Sequence, residues 1–247
     1  MVSDNTEQQS YSSTARVISR PAPVRILIAN AKGGCGKTTT STNLASHFAK
    51  EGNSTAILDY DPQGSSMDWL AARDPHLPPI TGVAAYKQTG IATRSFSLRV
   101  PAATTHIVID TPAGLTGNSL SDMISNCDCM IIPVIPSAID IRAATGFIRD
   151  ILLSHSYRLK PKPIAVIANR VKRNTLIYAK LEKFLNSLNI PFITSLRDTQ
   201  QYVRASEHGL GLSDFGNQVS KSDRDEWSPL IDWIKEQVES KNNVKNS

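Results

Sequence analysis

Cysteine is scarce in this chain: Cys35, Cys127 and Cys129 are the only three in 247 residues. An odd, sparse set excludes a disulfide-stapled scaffold and fits a reducing compartment. Cys127 and Cys129 stand two apart with no Cys or His partner close in sequence, so they read as two small buried residues rather than a metal pair. No uninterrupted apolar run reaches the ~18 residues that a bilayer-spanning helix needs. The N-terminus lacks the basic-then-apolar layout of a signal peptide, so a cytoplasmic protein is expected. Charge of one sign is only mildly in excess, +5 with a pI near 9.1. That balance permits contact with nucleic acid or an anionic surface without requiring it. No internal repeat is visible.

What is present is an alternation. Residues 1–23, rich in Ser, Thr, Gln and Pro, read as a flexible tail. Val24 to Ala29 is a β-branched apolar run, as in a strand buried on both faces. Lys37–Lys50 has helical periodicity, with Leu44, Ala45 and Phe48 on one side and Gly52 placed to end it. Further strands are expected at Thr55–Leu58, His106–Ile109, Met130–Val134, Ile164–Ala168 and Phe192–Thr194. Helices are expected around Ser66–Ala72, Ile139–Leu153 and Thr175–Leu188. Residues 75–104 give no clear pattern. The alternation predicts an α/β fold: one domain over 24–240 with a mostly parallel, twisted sheet and helices on both faces. A helix is expected at about 228–240, opened by Ser228-Pro229, with 241–247 as a tail. Its apolar side (Trp227, Leu230, Ile231, Ile234, Val238) faces the domain. Its polar side carries Asp232, Glu236 and Glu239 against Lys235, opposite to the bias of a membrane-surface helix.

The chemistry sits where the first strand passes into the first helix. Asn30-Ala31-Lys32-Gly33-Gly34-Cys35-Gly36-Lys37-Thr38-Thr39 has the strand-loop-helix context of a P-loop. Glycines let backbone N–H groups of residues 33–36 face phosphate oxygens, and the helix N-terminus adds its dipole. Lys37 is placed for the β- and γ-phosphates of ATP, Thr38 for Mg²⁺ and Thr39 for the α-phosphate. The first glycine of the general motif is replaced by Ala31, and a second lysine, Lys32, leads the loop. Two lysines on one phosphate group would repel, so Lys32 is expected to point away from its own nucleotide.

The run Lys32 to Thr38 resembles the K-G-G-x-G-K-[ST] signature of the ParA/MinD family of deviant Walker A ATPases. The resemblance spans roughly Val24 to Leu212 and carries the expectation of a P-loop NTPase fold. It implies a homodimer in the ATP state, with Lys32 crossing to the partner's nucleotide. Asp59-Tyr60-Asp61-Pro62-Gln63-Gly64 is similar to the family's D-x-D-P-Q-G, which implies that Asp61 orients the attacking water and Asp59 supports the Mg²⁺ shell. Ile107 to Gly114 is similar to the Walker B and switch II segment, with Asp110 on the Mg²⁺ side. Asn169-Arg170 matches the adenine-contacting position.

Of the family's branches, iron–sulfur reductases need cluster cysteines in a layout that is missing here. Bacterial tyrosine kinases need a tyrosine tail that is also missing. The charge is regional. Between Ile151 and Leu210 ten Lys/Arg face three acids, a net of +7, while Gly211 to Ser247 is at −2. Within the resemblance this excess implies non-specific, salt-sensitive DNA binding, with Lys172, Arg173, Arg197 and Arg204 as candidates. The expected function is a DNA-associated, cargo-positioning or partitioning ATPase of the small ParA type. It would be nucleoid-associated and reset by a small adaptor protein that stimulates hydrolysis. The alternatives are a membrane-associated spatial regulator of the MinD kind and an ATP-dependent small-molecule ligase or amidating enzyme.

Overall fold

A computed structural model describes residues 22–87, 100–172, 179, 183, 190–218 and 221–245. The expected helix Thr175–Leu188 and Arg173 lie outside them, as does nearly all of the N-terminal tail. Seven strands form one sheet: β1 (Val24–Ile28), β2 (Thr55–Asp59), β3 (Ile80–Ala84), β4 (His106–Asp110), β5 (Cys129–Val134), β6 (Ile164–Val171) and β7 (Phe192–Arg197). Their order is β3-β2-β4-β1-β5-β6-β7, and every described pairing is parallel. Parallel neighbours need crossovers, and those supply the helices α1 (Lys37–Lys50), α2 (Ser65–Ala71), α3 (Gly117–Ser125), α4 (Ala138–Leu153) and α5 (His155–Leu159). Helices α6 (Gln200–Glu207) and α7 (Lys221–Lys245) follow β7.

The strand alternation sorts the core into two layers. Ile26 and Ile28 pack with Leu44 and Phe48 of α1 and with Leu230 and Ile234 of α7. Leu27 and Ala29 pack with Leu120 and Ile124 of α3 and with Phe147 and Ile151 of α4. Each of these twelve side chains is at most 3% exposed, so the central strands are dry on both faces. That is why they read as unbroken apolar runs. The three cysteines are buried, and none of them forms a disulfide.

The sequence hid three features. β3 lies in the stretch without a pattern, because it is an edge strand that contributes only half-buried positions around Gly82. Pro133 sits inside central β5, where proline normally breaks a ladder. Ala29 N–H donates to Ile131 O at 3.1 Å, so the Pro133 backbone two residues on faces the same side, beyond the end of the β1–β5 pairing. The Asn30 side-chain amide donates to Pro133 O there at 2.8 Å, and no backbone donor is needed from the proline.

The last helix also begins earlier than expected, at Lys221, carries Pro229 within it and runs to Lys245. Its first turns are tied to β7. Asp223 pairs with Arg197, Glu226 accepts the Arg197 N–H at 2.9 Å, and Thr194 donates to Glu226 O at 2.7 Å. Those anchors offset the helix bond that the proline removes. Beyond it, Leu230, Ile231 and Ile234 are buried against the sheet. Among the described residues no helix is long and apolar enough to cross a membrane.

Candidate active site

The carboxyl ends of β1, β2 and β4 open onto three loops, and the register brings their chemistry together. Asp59 at the end of β2 is the direct neighbour of Asp110 at the end of β4, and Asp110 also pairs with Ile28 of β1. Adjacent strands lie about 4.8 Å apart, so the two carboxylates share one mouth. The loops are stitched to each other. Tyr60 N–H donates to Asp110 O, Gly114 N–H to Ala31 O, and the Thr111 hydroxyl to Ile28 O, all at 2.9 Å.

The first loop has the shape its composition predicts. Gly36 adopts φ +93°, and a Cβ there would meet Asn169 Nδ2 at 1.8 Å. The position therefore needs glycine both for its backbone and for its neighbour. Lys37 opens α1, is buried, and folds its ammonium back to within 3.1 Å of Lys32 O. Lys32 is exposed, with its N–H on Asn30 Oδ1 at 3.1 Å. Gly33 and Gly34 are exposed as well. Cys35 is buried beneath them. Its Sγ lies 3.3 Å from Lys32 O, and burial pushes its thiol up. Thr38 and Thr39 are half-buried in the first turn of α1.

The two strand-end carboxylates are both fully buried but differently engaged. Asp59 accepts the Asp61 N–H at 3.0 Å on one oxygen and the Ser66 N–H at 3.1 Å on the other. It caps the start of α2 and braces the loop between. Burial nevertheless holds its carboxyl above the ordinary range. Asp110 accepts the Ser66 hydroxyl at 2.8 Å on Oδ2, while Oδ1 is buried without a partner. Burial pushes this carboxyl up to about 6, against the hydrogen bonds from Ser66 and Thr38. Asp61 is half-buried, and its carboxylate accepts the Gln63 N–H at 3.0 Å. Sequence reasoning missed Ser66, which bonds both strand-end carboxylates. Its only signal is a serine two residues after the Gly64 that begins a helix.

On the opposite side of the loop, β6 runs through Asn169 and Arg170 to Val171, past the expected end at Ala168. A register break falls between Ala168 and Val171, and Arg170 takes φ +53°. This bulge turns the Asn169 amide over the loop, where it donates to Cys35 O at 2.9 Å. The basic candidates are scattered. Lys172 is exposed just after β6, and Arg204 is exposed on α6. The Arg197 guanidinium is held 2.6 Å from fully buried Asp223, with its side chain still 35% exposed.

Among the described residues no three His, Cys, Asp or Glu side chains cluster to cage a metal. The donor set instead suits a hard cation shared with a phosphate ligand, through an unpartnered buried Asp110 oxygen and the Thr38 hydroxyl beside it.

Residues 26–212 match the CobQ/CobB/MinD/ParA nucleotide binding domain. The maintenance of carboxysome distribution protein A of Halothiobacillus neapolitanus is 26% identical over 217 residues, which is 85% of this chain and 95% of that protein. Among solved structures, apo McdA from Cyanothece superposes with a TM-score of 0.64 at 17% identity, covering 88% of this chain and 100% of that one. MinD from Aquifex aeolicus gives 0.63 at 20%, covering 84% and 96%. At such identity the two structures speak for the fold alone.

Proposed function

This chain belongs to the family of CobQ/CobB/MinD/ParA nucleotide-binding domains, and on that premise we propose that it is an ATP-driven switch that positions or partitions a cargo on DNA. The observation that carries the reading is the mouth itself. A glycine-shaped loop with one buried and one exposed lysine stands beside two in-register carboxylates, one with a free oxygen. The backbone of residues 33–36 and Lys37 bind the triphosphate, and Thr39 meets the α-phosphate. Asn169 and Arg170 border the adenine. Mg²⁺ is held by Thr38 and Asp110, with Asp59 behind them, and supplies charge neutralisation at the phosphates. Asp61 orients the attacking water.

Exposed Lys32 reaches the nucleotide of a second copy in an ATP-bound homodimer and adds positive charge where the transition state is most negative. Hydrolysis, stimulated by a small adaptor protein, returns the chain to a weakly binding form. DNA contact rests on Lys172 and Arg204, with Arg173 outside the described residues and Arg197 bracing α7 instead. The likeness to a carboxysome distribution protein supports a large intracellular body as cargo, in the cytoplasm and at the nucleoid. The burial of the α7 apolar side against the sheet speaks against a membrane-surface helix.

The test is DNA retention by the full chain with and without ATP. Retention should require ATP and fall steeply with added salt. Asp61→Ala should stay bound with little turnover, and Lys37→Ala should bind neither ATP nor DNA. Equal retention with and without nucleotide, or binding to anionic liposomes in place of DNA, overturns the reading.

A further inference from the structure

The helix that follows the Asp59–Gly64 loop is gripped at both ends. At its start, Ser66 bonds Asp59 and Asp110. Just past its end, Arg73 enters a buried junction with residues 209–214, the strap that leads out of α6. Arg73 donates to Asp214 through both terminal nitrogens, at 2.7 and 3.2 Å, and to Gly209 O at 3.0 Å. Its guanidinium also stacks over the Trp69 ring at 5.3 Å, and Trp69 Nε1 donates to Leu210 O at 3.1 Å. Asp214 further accepts the Ser46 hydroxyl at 2.7 Å and the Gly211 N–H at 2.9 Å.

The strap fits only because it is bare. A Cβ on Gly209 would meet the Arg73 backbone at 2.3 Å, and one on Gly211 would meet Ser46 at 2.5 Å. The same strap is tied to the first turn of α1, because Asn43 accepts the Leu212 N–H and donates to Thr39 O, both at 2.8 Å. On the outer side of α2, Gly82 of β3 lets Leu70 and Met67 approach closely. These contacts tie α2 to the strap and, through the strap, to α1.

We propose that the Arg73–Asp214 pair is a positioning device for hydrolysis: by locking α2 to the P-loop helix through the strap, it fixes the loop that carries Asp61. Neither residue touches nucleotide. A charged, planar, two-pronged contact is suited to this, since it sets orientation as well as distance. The inference rests on the reading of the mouth as an ATPase site, but its structural half stands apart from that reading.

Arg73→Lys keeps the charge and loses the fork, which makes it the main variant, with Asp214→Asn as the second. Two readouts are taken on the full chain. In steady-state hydrolysis, kcat should fall by roughly 10²-fold, the scale of a sub-ångström misplacement of a catalytic group, while the affinity for a fluorescent ATP analogue stays within about twofold, since the P-loop keeps its own bonds. In amide hydrogen exchange without nucleotide, residues 59–68 should lose protection while the second half of α1 keeps it. Unchanged exchange at 59–68 overturns the proposal whatever the kinetics. So does a fall in kcat matched by an equal loss of nucleotide affinity and of protection throughout the domain, which marks general destabilisation. Failure of the wild type to hydrolyse ATP sinks the ATPase reading and leaves the exchange result to judge the clamp.

Discussion

Asp110 and Asp214 are both buried acids within one core, and they are treated in opposite ways. Asp214 meets a guanidinium fork, a hydroxyl and a backbone N–H. Burial alone would raise its carboxyl, but those partners outweigh it and hold it below the ordinary range. Asp110 has the Ser66 hydroxyl on Oδ2, the Thr38 hydroxyl beside it and a buried Oδ1 without a partner, and burial pushes it up to about 6. The first is a completed contact that holds helices together. The second is an incomplete one, which under the proposed function a bound cation completes. A fully satisfied acid marks architecture here, and an unsatisfied one marks the working mouth.

The contrast is broken most severely at the strap. Asp214→Ala leaves the Arg73 guanidinium buried without its counter-ion, which should cost about 3–5 kcal/mol in denaturant unfolding. A loss below about 1 kcal/mol would make the pair peripheral. Asp110→Asn should act in the other direction. A carboxyl whose folded pKa is raised from 3.8 to about 6 costs the fold nothing below its unfolded value and loses stability as pH climbs through the folded one. Above pH 7 the nucleotide-free Asn variant should therefore be more stable than the wild type, by up to about 3 kcal/mol, and should hydrolyse poorly. A less stable variant would mean that Asp110 is structural like Asp214.

The smallest effect lies at the far end of the sheet, where His106 stacks on Phe48 at 4.4 Å and Glu51 stands between His47 and Lys235. Burial lowers both imidazoles from 6.5. Their contribution is complete above that value and is lost as pH falls below it. His106→Phe should flatten that part of the melting-temperature profile between pH 7 and 5. An unchanged slope assigns the acid sensitivity elsewhere.

The mouth was legible in the sequence because its parts are local. Lys32 to Thr39, Asp59 to Gly64 and Asp110 to Gly114 each combine a strand end with a loop, and the sheet has only to set them side by side. The strap was not legible, because Arg73 and Asp214 are ordinary charged residues until the fold joins them. Arg197 shows a second contact hidden from the sequence. It lies in a basic stretch and counted toward a DNA surface, yet its partner Asp223 comes from a helix that was expected to begin at 228. Ser66 was missed for a related reason: a buried hydroxyl serving two carboxylates looks in sequence like any helix-start serine.

The Arg73–Asp214 pairing spans 141 positions of chain. At a synthesis speed of about 5–20 residues per second, roughly seven to thirty seconds separate the two residues on the ribosome. Throughout that interval the loop, its lysines and Asp59 have already been made, but the helix after them lacks its partner in the strap. The lock on α2 is thus the last part of this arrangement to be made.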